Sequence, residues 1–474
     1  MAMVPTPAHC GQIAATRAGG RALGEATPAH GLPVCLLVAR LLRCRFEQTC
    51  RLQQGGDSMT KAGSRIAALA AFLITFSACG SQQSAGPTIT DPGITKDEIK
   101  IGATYPESGT ASFYYAVAKG ATAYFQYINT EKGGVNGRKI TYVVLDDGYD
   151  PSKTPDKARE LVQDQKVFAT FGNLGTPNNK AVRDYYNAQK VPQLFVFTGA
   201  SIWGSQYDQY PYTIGWQPDY VTEATIYAKY ILQNAPTSKI AILYQNDAYG
   251  QDGWQGFRSA LGDKVSMIVG EAKYNAGDPS DMRSQVNALK ASGADTFFVI
   301  ATPAYAASAA TNAYTSGWKP KIYMNQVAAS TVTWRKVVQQ VGSSAPVDGM
   351  ISTRYLKDPN ATEFANDSGI ALYKQILDKY GNGCLVADNF CVAGMAFAYS
   401  VVDVFKKAGN NLSRKNVVDI AAGQMNETDN FLLLPGITVR TSKTHRFPIS
   451  QLQTIKWNTD HWEAFGSVQD GRPG

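Results

Sequence analysis

Histidine is almost missing from this chain: there are four among 474 residues, and beyond residue 58 just His445 and His461. That scarcity argues against a histidine general base and against a zinc site. Cysteine is equally thin where a folded domain would lie. Of the seven, Cys10, Cys35, Cys44 and Cys50 stand before residue 58, Cys79 follows an apolar stretch, and Cys384 and Cys391 remain, at a spacing that matches no metal-site pattern. Outside possible core helices there is no long hydrophobic run: residues 66–76 are continuously apolar or small, too short for a membrane-spanning helix of roughly 20 residues. Charge of one sign is missing too. The formal charge is +7, but residues 1–78 hold eight Lys or Arg against three acids, leaving 37 basic and 35 acidic residues after them. With no Lys/Arg stripe interleaved with aromatics, nucleic acid is not an expected partner. A GxSxG elbow, a Walker A loop, a GxGxxG after a strand and an HExxH pair are all lacking, so no catalytic residue, metal or cofactor is expected.

What is present begins with a leader. Met59-Thr60-Lys61 and Arg65 precede the apolar run, and Phe76-Ser77-Ala78-Cys79 closes it. A short basic start, an apolar run and small residues make a secretory signal peptide over 59–78. The cysteine after the small pair resembles a bacterial lipobox, with Phe76 where Leu is usual. Cys79 is then the lipidation site; an ordinary signal peptide with an incidental cysteine is the plainer alternative. A lipidated Cys79 would tether the chain to a membrane without spanning it. Because a signal sequence must stand first to be read, Met59 is the expected start and 1–58 an upstream extension. Residues 79–94 form the anchor and a Ser/Gln/Gly/Pro linker. In an exported chain the remaining pair, Cys384 and Cys391, suggests a disulfide, with two buried thiols as the alternative.

From Glu98 onward, short apolar runs alternate with amphipathic segments. Runs at 99–105, 140–146, 167–172, 193–199, 239–245, 265–270, 296–302 and 321–326 predict buried strands. Helical periodicity separates them at 114–131, 153–164, 178–189, 223–233 and 281–291, and returns at 363–380 and 389–407. Such alternation predicts parallel sheets covered on both faces. The strands are too many for one sheet. The pattern stutters near 212–220 and again near 349–353, and a late run at 452–457 returns; these mark three crossings between two lobes.

Ligands of open α/β sheets sit beyond the carboxyl ends of the strands. There this chain places small, hydroxyl and aromatic residues. Asn173-Leu174-Gly175-Thr176-Pro177-Asn178 follows one strand and leads into a helix; Gly175 lets backbone approach a ligand, Thr176 supplies a hydroxyl, and Pro177 suits a first turn. Thr198-Gly199-Ala200-Ser201 follows the next. Each alone is an ordinary turn or cap; together they predict a cradle for a carboxylate or another polar group. Asp146-Asp147 reads as a polar strand end rather than a metal site.

Taken in order, IKIGATYPESGT, EKGGVNGRKITYVVLDDGYDPSKTPDKARELV, VFATFGNLGTPNNKAVRDYYNAQKVPQLFVFTGAS, KIAILYQNDAYGQDGWQGF and VDGMISTRYLKDP resemble the type I periplasmic binding proteins, in particular the branch of leucine/isoleucine/valine-type ABC transporter receptors. The resemblance covers essentially all of 95–465. It implies an α/β fold of two doubly wound Rossmann-like lobes joined by a three-stranded hinge, lobe 1 being 95–218 with 352–446 and lobe 2 being 219–351 with 447–468. It also implies a monomer without enzymatic activity that binds a small-molecule ligand between the lobes and delivers it to ABC permease subunits; a sensor that signals to a partner is the alternative on the same fold. By the same resemblance Tyr114 is a first-lobe aromatic wall, Thr176 corresponds to a carboxylate-holding serine, and Gly199, Ala200 and Ser201 form the second strand end. Tyr249 closes over the ligand from the second lobe, with Thr302 and Gln326 at the strand ends beyond it. The chain departs from the amino-acid pattern where the family's ammonium-binding Glu would stand: the segment is Asn325-Gln326-Val327-Ala328. The expected acid near the first crossing corresponds loosely to Asp219, beside Tyr220. The carboxylate half of an amino-acid site is kept and the ammonium half is not, which favours a carboxylate-bearing or neutral ligand with Tyr114, Trp203, Tyr220 and Tyr249 as walls.

Overall fold

The computed structural model describes residues 91–472. The extension 1–58, the signal peptide 59–78 and the lipidation site Cys79 lie outside the described residues.

Two sheets organise the chain. Five strands, β1 (Glu98–Tyr105), β2 (Lys139–Asp146), β3 (Ala169–Phe171), β4 (Gln193–Val196) and β5 (Thr213–Gly215), pair in parallel in the order β2-β1-β3-β4-β5. The second sheet takes β6 (Ile240–Gln245), β7 (Ile268–Tyr274), β8 (Thr296–Ile300), β9 (Lys321–Met324) and β10 (Ile351–Arg354), all parallel. After the small ladder of β11 (Asn426–Glu427) and β12 (Val439–Arg440), the antiparallel strands β13 (Gln451–Asn458) and β14 (His461–Asp470) extend that second sheet to the order β14-β13-β10-β9-β8-β6-β7. Helices between the strands bury their apolar faces against both sheets, as parallel strands require.

Three expectations need correction. A domain boundary at 351/352 would cut β10, yet that strand lies whole in the second sheet, paired to β9 on one side and to β13 on the other. The strand expected at 265–270 starts later, because Gly262–Met267 is a 3-10 turn, and it runs on to Tyr274. It is an edge strand whose exposed and covered residues alternate, so an apolar-run criterion finds only its first half. The helix expected from 363 begins at Ser368, where the Asp367 carboxylate accepts the Ile370 N–H at 2.9 Å and caps it.

Behind the first sheet, the helix Asn389–Ala408 packs on the helix Tyr115–Glu131 at backbone contact. A Cβ on Gly120 would stand 2.2 Å from the Cys391 carbonyl oxygen, and one on Gly394 1.9 Å from that of Val117; glycine alone allows that approach. Asn389–Ala408 is long and apolar enough to cross a membrane, but 78% of that stretch is buried inside this core. A Cys384–Cys391 disulfide ties down its start.

Candidate functional site

In each sheet the chain reverses direction of growth beside its first strand. β1 lies between β2 and β3, and β6 between β7 and β8. These are the switch points at which a crevice opens beyond the strand ends. The segments leaving β1, β3, β6 and β8 carry Tyr114, Gly175 with Thr176, Tyr249 and Thr302, and all five line one cavity together with Tyr220. Six of the ten residues expected to bind the ligand are thus brought together from both lobes.

The first-lobe wall is built for close approach and neutral polarity. Gly175 has φ of 93°, and a Cβ there would stand 2.5 Å from the Tyr149 ring, so glycine is required. It caps the helix Thr176–Ala188 without a side chain, leaving N–H groups of the first turn for a ligand. The Thr176 hydroxyl shares a hydrogen bond with that of Thr198. Thr198 also accepts from Tyr220 Oη and Trp203 Nε1, each at 3.5 Å. Behind this wall the buried Asp147 accepts Thr154 Oγ1 at 2.8 Å, Asn178 Nδ2 at 2.9 Å and the Tyr149 N–H at 3.1 Å. Its role is to hold the turn that presents Tyr149, a residue with φ of 61°.

The second-lobe wall is phenolic and backed by acids. Tyr249 stacks at a tilt on Tyr220, centroids 4.7 Å apart, and donates to Asn325 Oδ1 at 2.8 Å. Asp247 accepts the Tyr249 and Gly250 N–H groups at 2.9 and 3.2 Å and so caps the helix Ala248–Leu261. The Glu223 carboxylate accepts from Gln326 N (2.6 Å), Tyr227 Oη (2.7 Å) and Thr353 Oγ1 (3.0 Å); burial pushes it up to about 7. Contacts bridge the lobes: Tyr114 Oη donates to the Val327 carbonyl at 3.0 Å, and Ser201 donates to Asp252 through N at 2.6 Å and Oγ at 3.1 Å. Burial raises Asp252 to about 6.

Four expected residues stand elsewhere. Gly199 is pressed against the first crossing, where a Cβ would stand 2.5 Å from the Pro218 carbonyl. Ala200 is buried in the apolar cluster between the lobes with Trp203, and Ser201 is spent on Asp252. The hydroxyl that reaches Thr176 is Thr198, because β4 is bulged and Phe195 takes φ of 54°, which re-aims the residues that follow. Gln326 lines an adjoining chamber instead. Asp219 is a helix cap, accepting Thr222 N at 3.1 Å and Oγ1 at 2.6 Å. Missed from the sequence were Tyr149, Leu174, Phe197, Gln217 and Val327, which line the cavity. Among the described residues no cluster of three or more His, Cys, Asp or Glu side chains could hold a metal.

The family described as "Periplasmic binding protein" matches residues 98–461. The "Leu/Ile/Val-binding protein homolog 3" of Brucella melitensis is 27% identical over 203 residues, 42% of this chain and 54% of that protein; the chain spans about half the length of the curated relatives it matches. The fatty acid ABC transporter substrate-binding protein of Thermomonospora curvata superposes with a TM-score of 0.68 at 21% identity, over 80% of this chain and 94% of that one. A solute-binding protein of an ABC transporter from Rhodopseudomonas palustris, in complex with 3,4-dihydroxybenzoic acid, does so with a TM-score of 0.64 at 20% identity, over 79% and 99%. At such identities the two structures speak for the fold. With a family match across both lobes and the switch-point cavity between them, the chain belongs to the periplasmic binding proteins, in their type I, leucine/isoleucine/valine-like branch.

Proposed function

We propose that this protein is the exported solute-binding component of an ABC importer, closing its lobes on a small carboxylic acid and presenting the closed form to membrane permease subunits. The observation that carries this reading is the convergence of Gly175 and Thr176 from one lobe with Tyr249 and Thr302 from the other on a single cavity. Closure is favoured because the second-lobe contacts form only when the lobes meet, and a ligand shifts an equilibrium by its differential contacts.

The ligand's chemistry follows from what lines the cavity. Two helices start at this cavity, their N-cap residues Gly175 and Thr302 among its lining and neither making a side-chain cap, an arrangement that suits an anion. No Asp or Glu is among the lining residues, and Glu223 behind them is already engaged by hydrogen bonds. A buried ammonium without a carboxylate partner would be costly, so the reading favours an acid without an α-amino group, on an apolar or aromatic body. The test is a thermal-shift screen followed by calorimetry with branched-chain amino acids, aromatic acids and fatty acids. Saturable binding of an acid that lacks the ammonium is expected. Tight binding of the amino acids alone would overturn the ligand class, and no binding by any carboxylate would overturn the reading as a whole.

A further inference from the structure

The cavity does not end at the switch points. Phe197, Gln217 and Val327 line both it and a second chamber that runs along the hinge to Arg354 on β10 and Phe390 at the start of Asn389–Ala408. The free volume is about 20 Å³ in the first chamber and about 70 Å³ in the second, so the larger part of the room lies towards the hinge. Two side chains of this path are more than nine-tenths buried and each keeps one donor nitrogen without a partner, although Arg354 is otherwise held by Glu363 and by Gln453 Oε1, which accepts from its Nε at 3.2 Å and its Nη2 at 2.9 Å. Gln217 is 5% exposed with no partner for Nε2, and Arg354 is 7% exposed with none for Nη1. Buried donors left unpaired are costly and rare, and each asks for an acceptor.

We infer that the second chamber is a subsite for a neutral oxygen acceptor, an amide or carbonyl, at the far end of an elongated acid whose carboxylate is held at Thr176. This rests on the function proposed above and narrows its ligand class. Charge decides against a second carboxylate. Arg354 already pairs with Glu363, Lys357 donates to both oxygens of Asp367 at 2.8 and 2.9 Å, and Asp358 stands in the chamber wall. The cations are matched and one acid faces the space, so an added anion would meet no net positive charge. An amide answers the free Arg354 N–H groups with its oxygen and can exchange hydrogen bonds with the Gln217 amide.

The experiment uses calorimetry on the mature chain with three series of linear acids of four to ten carbons: plain monocarboxylates, the α,ω-diacids, and the diacid monoamides. The monoamide of one length is expected to bind about tenfold or more tighter than the monocarboxylate of that length, about 1.4 kcal/mol. Arg354→Met and Gln217→Leu, each checked for native circular dichroism, are expected to lower monoamide affinity several-fold more than monocarboxylate affinity. Equal affinities for monoamide and monocarboxylate at every length, or a diacid binding tighter than its monoamide, would overturn the subsite while leaving the proposed function in place. If no acid of the three series binds, the subsite falls, and the proposed function is decided separately by the aromatic acids of the screen above.

Discussion

The first lobe meets the cavity with Gly175, the Thr176 hydroxyl backed by Thr198, and uncapped N–H groups, whereas the second meets it with Tyr249 and Thr302, behind which Glu223 is buried and Asp247 and Asp252 are half-buried. Neutral donors hold an anion at any ordinary pH. Buried carboxylates do not: burial raises all three acids of the second lobe. The division suggests a first lobe that grips in every state and a second whose grip depends on closure and on protons.

Breaking the first lobe is expected to have the larger effect. Gly175→Val places a branched side chain at φ of 93° against the Tyr149 ring; binding should be lost about a hundredfold or more, with roughly 1–3 kcal/mol of stability, read by calorimetry and thermal melting. Thr176→Val keeps the shape and removes the hydroxyl, leaving Thr198 its contacts to Tyr220 and Trp203; a hydrogen bond to a charged group corresponds to about a ten- to hundredfold loss of affinity in the same titration. Tyr249→Ala removes the second-lobe wall and its bond to Asn325; about a tenfold loss of affinity is expected, together with a lowered melting temperature from the cavity a buried ring leaves, on the order of 3 kcal/mol, and unaltered affinity would remove Tyr249 from the site.

The smallest effect sharpens the comparison most. Asp252, raised by burial to about 6 from an ordinary 3.8, should return towards its ordinary value when the lobes part and water reaches it, because relief of burial outweighs loss of the Ser201 hydrogen bonds, which lower it. The closed form therefore binds a proton that the open form releases between pH about 4 and about 6, and closure weakens as pH rises through that window. Affinity for a ligand that stays ionised should fall several-fold there, and Asp252→Asn should flatten the profile. A flat profile in the parent protein would dissolve the distinction between the lobes.

The sequence made the sheets and half of the site legible for one reason: strand ends in an open α/β fold are found by local pattern. Gly175-Thr176 before a helix, Tyr249 after Asp247, and Thr302 before Pro303 all carry their geometry in neighbouring residues. What escaped depended on tertiary context. Whether Thr198 or Ser201 reaches Thr176 is settled by a bulge at Phe195, which no periodicity announces. Gln217 and Arg354 stand on crossings, and the chamber they line draws its wall from several segments separate in sequence, at Phe197, Val327, Phe390 and Trp462 among others. Glu223 looks like a favourable charge in a first helical turn, and its burial follows from β9 and β10 closing over it. Tyr149 could have been suspected from Asp147-Gly148, a turn pair that turns the next residue inward.

The Cys384–Cys391 bond encloses too short a loop to add more than about 2–3 kcal/mol to the whole. Its location gives it a different weight. Between the two sulfurs lie Asp388 and Asn389, and Asn389 accepts the Thr331 N–H at 2.9 Å from the opposite lobe; one residue on, the Phe390 ring lies 4.8 Å from that of Tyr114. The cross-link fastens the jamb of the cleft rather than the walls of the house. A reductant should accordingly slacken the clasp on a guest at concentrations that leave the fold standing, a difference that hydrogen exchange at 384–391, set against global melting, would register.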